Sequence, residues 1–260
     1  MMDELESNQL LGGDNGESVQ KKQHHKKSGR LILLTSLLVN LFLTCFIVIY
    51  LICQNYTART SYEKGFHTDL GPIKSKIGLI QQRFTGGEEI DHNGSFVKDQ
   101  RGSEYIGSPS PEVDAVWDRL LLGMNIDIPG DANAVMAGRT YQWTESGSYF
   151  TGLEVFHSLH CLNRLRQALY PNYYHAVRLP GDKPWDEHIG HCINHLRQAI
   201  QCHGDLTPME WILVDNKLIL RTNTLHTCRD FESIHRWAVQ QETKYDSIEA
   251  LKNGSIFITD

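Results

Sequence analysis

The sequence predicts a mainly α protein: a single N-terminal transmembrane helix, then a luminal, mostly helical domain with a repeated HxxHC helix pair and a short β-hairpin. Three observations lead there. An uncharged apolar run lies near the N-terminus, a thirteen-residue phrase is written twice, and apolar and polar residues alternate around an Asp-Asn turn.

The apolar run is "LILLTSLLVNLFLTCFIVIYLIC", 23 residues from Leu31 to Cys53 without a charge. At about 1.5 Å per residue it can cross a hydrocarbon core of about 30 Å. Thr35, Ser36, Asn40 and Thr44 are its only clear polar breaks, too few for the solvated face of a soluble helix. It is also longer than the core of a cleaved signal peptide. Residues 1–30 are polar and end in Lys21, Lys22, Lys26, Lys27 and Arg30, so they are expected to form a disordered cytosolic tail that orients the span. Everything beyond residue 53 then faces a lumen. Three glycosylation sequons, at Asn55, Asn93 and Asn253, lie on that side. Cys161, Cys192, Cys202 and Cys228 lie there too, an even set that an oxidising compartment lets pair in three ways.

Residues 54–110 mix short apolar runs with glycine-rich and polar phrases and are expected to be a luminal stem with little regular structure; the folded domain follows over 111–260. "SPSPEVDAVWDRLLLG" opens it with a helix that Ser110 caps and Pro111 starts, with Glu112 and Asp114 at its positive end and Val116, Leu120 and Leu121 on its apolar face. "TGLE", Thr151 to Glu154, has the form of a capping box, and Val155, Leu159, Leu162, Leu165 and Leu169 keep a helical period up to Pro171. A matching helix runs from near Pro184 to Gly204, with Ile189, Cys192, Leu196, Ala199 and Ile200 inward. "EWILVDNKLILRT" is expected to form the hairpin, and "RDFESIHRWAVQ" a last helix.

The repeated phrase carries the chemistry. His157–Tyr170 and His188–Gln201 agree at eight of fourteen positions, which implies two similar helices that can pack about a pseudo-two-fold axis. Helical residues three apart differ by about 60° around the axis, so His157 with His160, and His188 with His191, form side-by-side pairs. Two such helices packed together aim four imidazoles into one cleft. Neutral imidazole suits copper, zinc and iron, and a donor set without carboxylates points away from magnesium and calcium. Cys161 and Cys192 are open to three roles: ligand, disulfide partner or packed core. A structural zinc site, closed by four histidines, is an alternative to a redox site. His195 lies one turn beyond His191, but its counterpart in the first copy is Arg164, so it is expected to be at most an outer support. His226 and His235 are expected to serve surface or packing, and His24 and His25 belong to the tail. No dinucleotide, haem or serine-hydrolase signature is present.

The two "HxxHC" motifs, the "HSLHCLNRLR" context, "QCHGDLTPMEW", "HTCRDFESIHRWA" and the lead-in "YIGSPSPEVDAVWDRL" together resemble the fungal UstYa-like oxidases of mycotoxin biosynthesis, over roughly residues 31–240. The resemblance implies a membrane-anchored, copper-dependent oxidase that tailors a peptide-like or small-molecule pathway intermediate. Oxidative cyclisation leads the expected reactions, with hydroxylation or halogenation as alternatives. It implies His157, His160, His188 and His191 as metal ligands, places Cys161 and Cys192 on motif cysteine positions, and gives Asp205 and Asp230 a supporting role to a histidine or substrate. Among the cysteines, Cys202 with Cys228 is the preferred disulfide. A different class of function also fits the repeat: a non-catalytic, zinc-stabilised scaffold for another pathway enzyme. Partners expected are the substrate, the membrane and a homo- or hetero-oligomer with a related oxidase; no nucleic acid is expected.

Overall fold

The computed structural model describes residues 15–57, 60–90, 95–130, 136–174, 183–214 and 216–244. The chain divides into two units, Met1–Ser61 and Tyr62–Asp260.

The first unit is one helix, α1, Asn15–Thr57, which takes in the whole apolar run. Its stretch Gly29–Asn55 is 27 residues long with a mean hydropathy of 2.6. By length and composition it is the one helix among the described residues able to cross a membrane. The polar breaks are satisfied within the helix: Thr35 Oγ1 donates to the Leu31 carbonyl at 3.0 Å, Asn40 Nδ2 to Ser36 at 2.8 Å and Thr44 Oγ1 to Asn40 at 2.8 Å. Such back-bonding is what makes these residues tolerable in lipid, where no water can replace a partner. One correction concerns the tail: residues 15–30, expected to be disordered, are helical and continuous with the apolar run. Asn55 sits in the last turns of this helix, whereas Asn93 and Asn253 fall outside the described residues.

In the second unit, helices α2 (Pro111–Leu121), α3 (Glu154–Ala168), α4 (Trp185–His203) and α5 (Phe231–Gln240) are joined by eight short strands. The strands are β1 (Leu79–Arg83), β2 (Glu88–Ile90), β3 (Phe96–Lys98), β4 (Ile126–Ile128), β5 (Tyr149–Thr151), β6 (Glu210–Val214), β7 (Lys217–Arg221) and β8 (Leu225–Arg229). They pair as β1 with β8, β2 with β3, β4 with β5 and β6 with β7, all antiparallel. The expected hairpin is β6 and β7, with Asn216 at φ 63° in its turn, but among the described residues it is one of four two-stranded sheets. A mainly α description therefore understates the strands.

The stem is also more ordered than expected. β1 pairs with β8 with Ile80 opposite Cys228, and Arg229 of β8 pairs with Asp69 at 3.1 Å and lies over the Tyr62 and Phe66 rings. Ile73, in a 3₁₀ turn over Gly71–Lys76, joins the core of Ile126, Ile128, Phe156, Trp237 and Ala238. Sequence patterning misses this because each segment is too short to show a period, and the partner strand is about 150 positions away. Gly123, at φ 77°, is required where it stands: a Cβ would come within 2.7 Å of the backbone of Ala238 and Val239.

The start of α2 follows its sequence: Ser110 Oγ accepts from Val113 N at 3.4 Å and Pro111 takes the first turn. At α3 the capping box does not form; Leu153 is the N-cap residue and Glu154 is free to turn toward the histidines. The apolar period read on α3 and α4 marks the wrong stripe in part. Leu162 is 46% exposed, Leu169 76% and Ile200 72%, while Phe156, His160, Cys161 and Asn163 are the buried residues of α3. Two faces of α3 are occupied, one by the core and one by α4, so its inward residues are not a single 3.6-residue stripe.

Candidate metal centre

α3 and α4 pack antiparallel, and the contacts between their histidines are reciprocal. The His157 ring stacks on His191 with centroids 5.4 Å apart, and His160 on His188 at 5.7 Å. The repeat equates His157 with His188 and His160 with His191, so each contact is the image of the other, as a two-fold axis between the helices requires. Cys161 and Cys192, equivalent in the repeat, are both fully buried. The four motif histidines thus meet as two pairs, each with one ring from either helix.

The two ends of the pair differ in exposure. His160 and His188 are buried, at 7% and 9%, whereas His191 is exposed and His157 half-buried. At the open end His157 Nε2 and His191 Nε2 are 3.3 Å apart, and Cys161 Sγ falls with them within a 4.8 Å cluster. This tests whether the residues fit a metal. Two nitrogens each bonded to one tetrahedral ion at about 2.0–2.1 Å stand about 3.3 Å apart, and imidazole with thiolate is a donor set for copper or zinc. The residues fit.

Two residues of this end were undervalued or missed in the sequence. The His195 ring lies tilted against that of His157, with centroids 3.9 Å apart, and its Nε2 is 3.0 Å from Ser158 Oγ. Glu154 Oε2 lies 3.4 Å from His157 Nδ1 and 4.0 Å from His195 Nε2, so Glu154, His157 and His195 form a second candidate cluster that shares His157. A carboxylate is therefore within reach, contrary to the expectation from the motif alone. Glu154 precedes His157 by three and His195 follows His191 by four, spacings that put each on a motif histidine's face and were the available signal.

The remaining candidates lie elsewhere. Asp205 accepts from Thr207 N at 2.8 Å and meets His226 Nδ1 at 2.7 Å; Thr224 Oγ1 meets the other nitrogen of His226 at 2.7 Å, and the His226 ring stacks on Phe84 at 3.7 Å. Asp205 does support a histidine, but it is His226, a packed residue outside the motif. The hydrogen bonds from Thr207, backbone first, and then His226 hold the Asp205 carboxyl down at about 2. Because the folded value lies below the ordinary 3.8, the stabilisation is complete above about pH 4 and is lost as pH falls toward 2. Asp205→Asn is expected to flatten the dependence of melting temperature on pH between 4 and 2, in thermal scans followed by circular dichroism.

Asp230 is the N-cap of α5: its carboxylate accepts from Ser233 N at 3.2 Å and Ser233 Oγ at 2.6 Å, bonds that hold its pKa below the ordinary value. It caps a helix and contacts no motif histidine in the bonds it makes. His235 Nε2 meets the Arg119 carbonyl at 3.1 Å and its ring packs against both Phe156 and Phe231, within the surface or packing role expected. Cys202 and Cys228 do not form the preferred disulfide; both are free, Cys202 exposed on α4 and Cys228 in β8. Burial, followed by the Asp205 charge, pushes the Cys228 thiol up, which disfavours the thiolate that exchange needs.

The chain is similar to several known proteins. The family described as "Mycotoxin biosynthesis protein UstYa" matches residues 19–241. The UstYa family oxidase phomYd of Diaporthe leptostromiformis is 32% identical over 256 residues, covering 89% of this chain and 81% of that protein. From the same organism, phomYc is 33% identical over 158 residues, 55% of this chain and 61% of its own length. The UstYa family oxidase aprY of Aspergillus flavus is 28% identical over 235 residues, 81% of this chain and 66% of its own. No solved structure matches the chain.

Proposed function

The chain belongs to the UstYa family and is an oxidase of fungal mycotoxin biosynthesis; from that premise we propose a membrane-anchored, copper-dependent enzyme whose centre lies between α3 and α4. The observation that carries it is the 3.3 Å approach of His157 Nε2 to His191 Nε2 across two helices, with Cys161 beside them. One histidine from each HxxH pair, His157 and His191, holds the metal at the solvent end. When bound, copper supplies one-electron redox chemistry toward a peptide-like or small-molecule intermediate, for which oxidative cyclisation is the leading reaction and hydroxylation or halogenation the alternatives.

The protein's share is positional. α3 is fixed by the core through Phe156, so its histidines are held on a rigid element, and the half-buried His157 presents one nitrogen to His191 and the other toward Glu154. A carboxylate on the far nitrogen of a ligating imidazole fixes its tautomer and orientation. Burial of His160, His188, Cys161 and Cys192 keeps water from the inner end, while the exposed His191 gives substrate its approach. α1 anchors the enzyme, with the basic tail on the cytosolic side and the centre in the lumen.

The test uses the full chain purified in detergent, with metal analysis and electron paramagnetic resonance beside a His157→Ala variant and product analysis on candidate peptides. A Cu(II) signal that disappears in the variant is expected. Turnover should then fall at least the roughly 100-fold that losing even an outer partner of a metal ligand can cost. Zinc alone, with unchanged product from the variant, would replace the oxidase centre with a structural site.

A further inference from the structure

The repeat is symmetric in its motif and asymmetric one turn further on, and that difference falls on the centre. Position 195 in the second copy corresponds to position 164 in the first, so His195 stands where the first copy has Arg164. His195 turns to the open end, its ring 3.9 Å from that of His157 and 6.2 Å from that of His191. Arg164 turns to the inner end: its Nε donates to His160 Nε2 at 3.4 Å, and its Nη1 to Gln167 Oε1 at 3.1 Å, which holds the guanidinium there. The third imidazole and the charged guanidinium thus occupy equivalent positions in the two copies and face opposite ends of the histidine pairs.

Resting on the reading of this centre as a metal site, we infer that it is one-sided: a single copper ion binds at the open end, held by His157 and His191 with Cys161 beside them, His195 and Glu154 set the position of the His157 ring, and Arg164 excludes an ion from the His160/His188 end. The physical grounds are local. A guanidinium is permanently charged, so it repels a dication, and its N–H occupies the lone pair of His160 that a metal needs. At the other end Glu154 adds a negative charge beside His157 and His195, with all three ligand atoms within 4.8 Å of one another. Among the described residues, both candidate donor clusters contain His157 and neither contains His160 or His188. Duplication has supplied two half-sites, and one substitution has committed each end to a different use.

The experiment titrates the metal-stripped full chain in detergent with copper(II) sulfate and reads stoichiometry by calorimetry and coordinated nitrogens by electron paramagnetic resonance. One ion per chain is expected. His195→Ala and Glu154→Gln, which remove the two groups that set the position of His157, should each weaken binding about 10- to 100-fold and change the spectrum. Arg164→His, which restores the repeat at that position, should raise the stoichiometry to two. Arg164 is half-buried and Glu154 exposed, so these variants keep the test readable even if His195→Ala fails to fold. Two ions on the unaltered chain, or an unchanged spectrum and affinity in His195→Ala and Glu154→Gln, would overturn the inference. Copper lost in His157→Ala but indifferent to His195 overturns one-sidedness alone. An unaltered chain that takes up no copper overturns both this and the function it rests on.

Discussion

Phe156→Ala is expected to lower the stability of the folded unit by about 3–5 kcal/mol, the usual cost of truncating a buried aromatic residue. Phe156 is fully buried among Ile126, Ile128, Trp237 and Ala238, with its ring 5.9 Å from Phe231 and 5.8 Å from His235. It is the point at which α3 joins strand β4 and helix α5, and nothing small can fill the space without moving one of them. Against a total stability of about 5–15 kcal/mol the loss is large, and the melting temperature should fall by about 10 °C. Thermal unfolding of the full chain checks it. Leu162→Ala, on the same helix and 46% exposed, is the control and should cost well under half as much. Equal shifts for the two would mean that the exposed side of α3 is covered in the native protein.

That contrast shows what was legible in the sequence. The helices bearing the motif, the Ser110 cap and the hairpin follow from local rules: a cap, a turn and a helical period. Phe156 did not stand out, because an apolar period assigns one inward stripe to a helix and α3 has two occupied faces. The β1 strand was illegible for a different reason: its meaning lies in β8, far along the chain. His195 and Glu154 were visible as neighbours of the motif, but the repeat argued against His195, and the capping-box form of "TGLE" gave Glu154 another role. A symmetric pattern draws the eye to what both copies share, and the chain-specific chemistry lies at a position where they differ, Arg164 against His195. Asp205 and Asp230 resembled supporting residues of the site by sequence context, yet their partners, His226 and Ser233, could only be found in three dimensions.

The same comparison of copies yields the second large effect. Arg166→Ala is expected to cost about 3 kcal/mol, whereas Arg197→Ala, its equivalent in the repeat, should stay within about 0.5 kcal/mol of the unaltered chain. Both arginines reach back three residues to an asparagine, Arg166 Nε to Asn163 Oδ1 at 2.9 Å and Arg197 Nε to Asn194 Oδ1 at 3.3 Å. Arg166, however, is 9% exposed and continues to Asp114 Oδ1 at 2.7 Å and to the Tyr174 hydroxyl at 2.6 Å, with its guanidinium 5.6 Å from the Trp117 ring centre. Removing it strands the Asp114 carboxylate of α2 with the Tyr174 hydroxyl as its remaining partner in that network, at 2.6 Å. Arg197 faces solvent and bonds only along its own helix, to Asn194 and to Gln201 at 2.6 Å, in contacts of the kind that water replaces at little cost. Thermal unfolding of the two variants side by side decides the matter: a large shift for Arg166 and none for Arg197 means that α3 is the docked member of the pair. α4, packed chiefly on α3, then inherits its position from it. Equal shifts would mean that α4 is held by contacts of its own, and the geometry of the histidine cleft would no longer depend on the anchoring of α3.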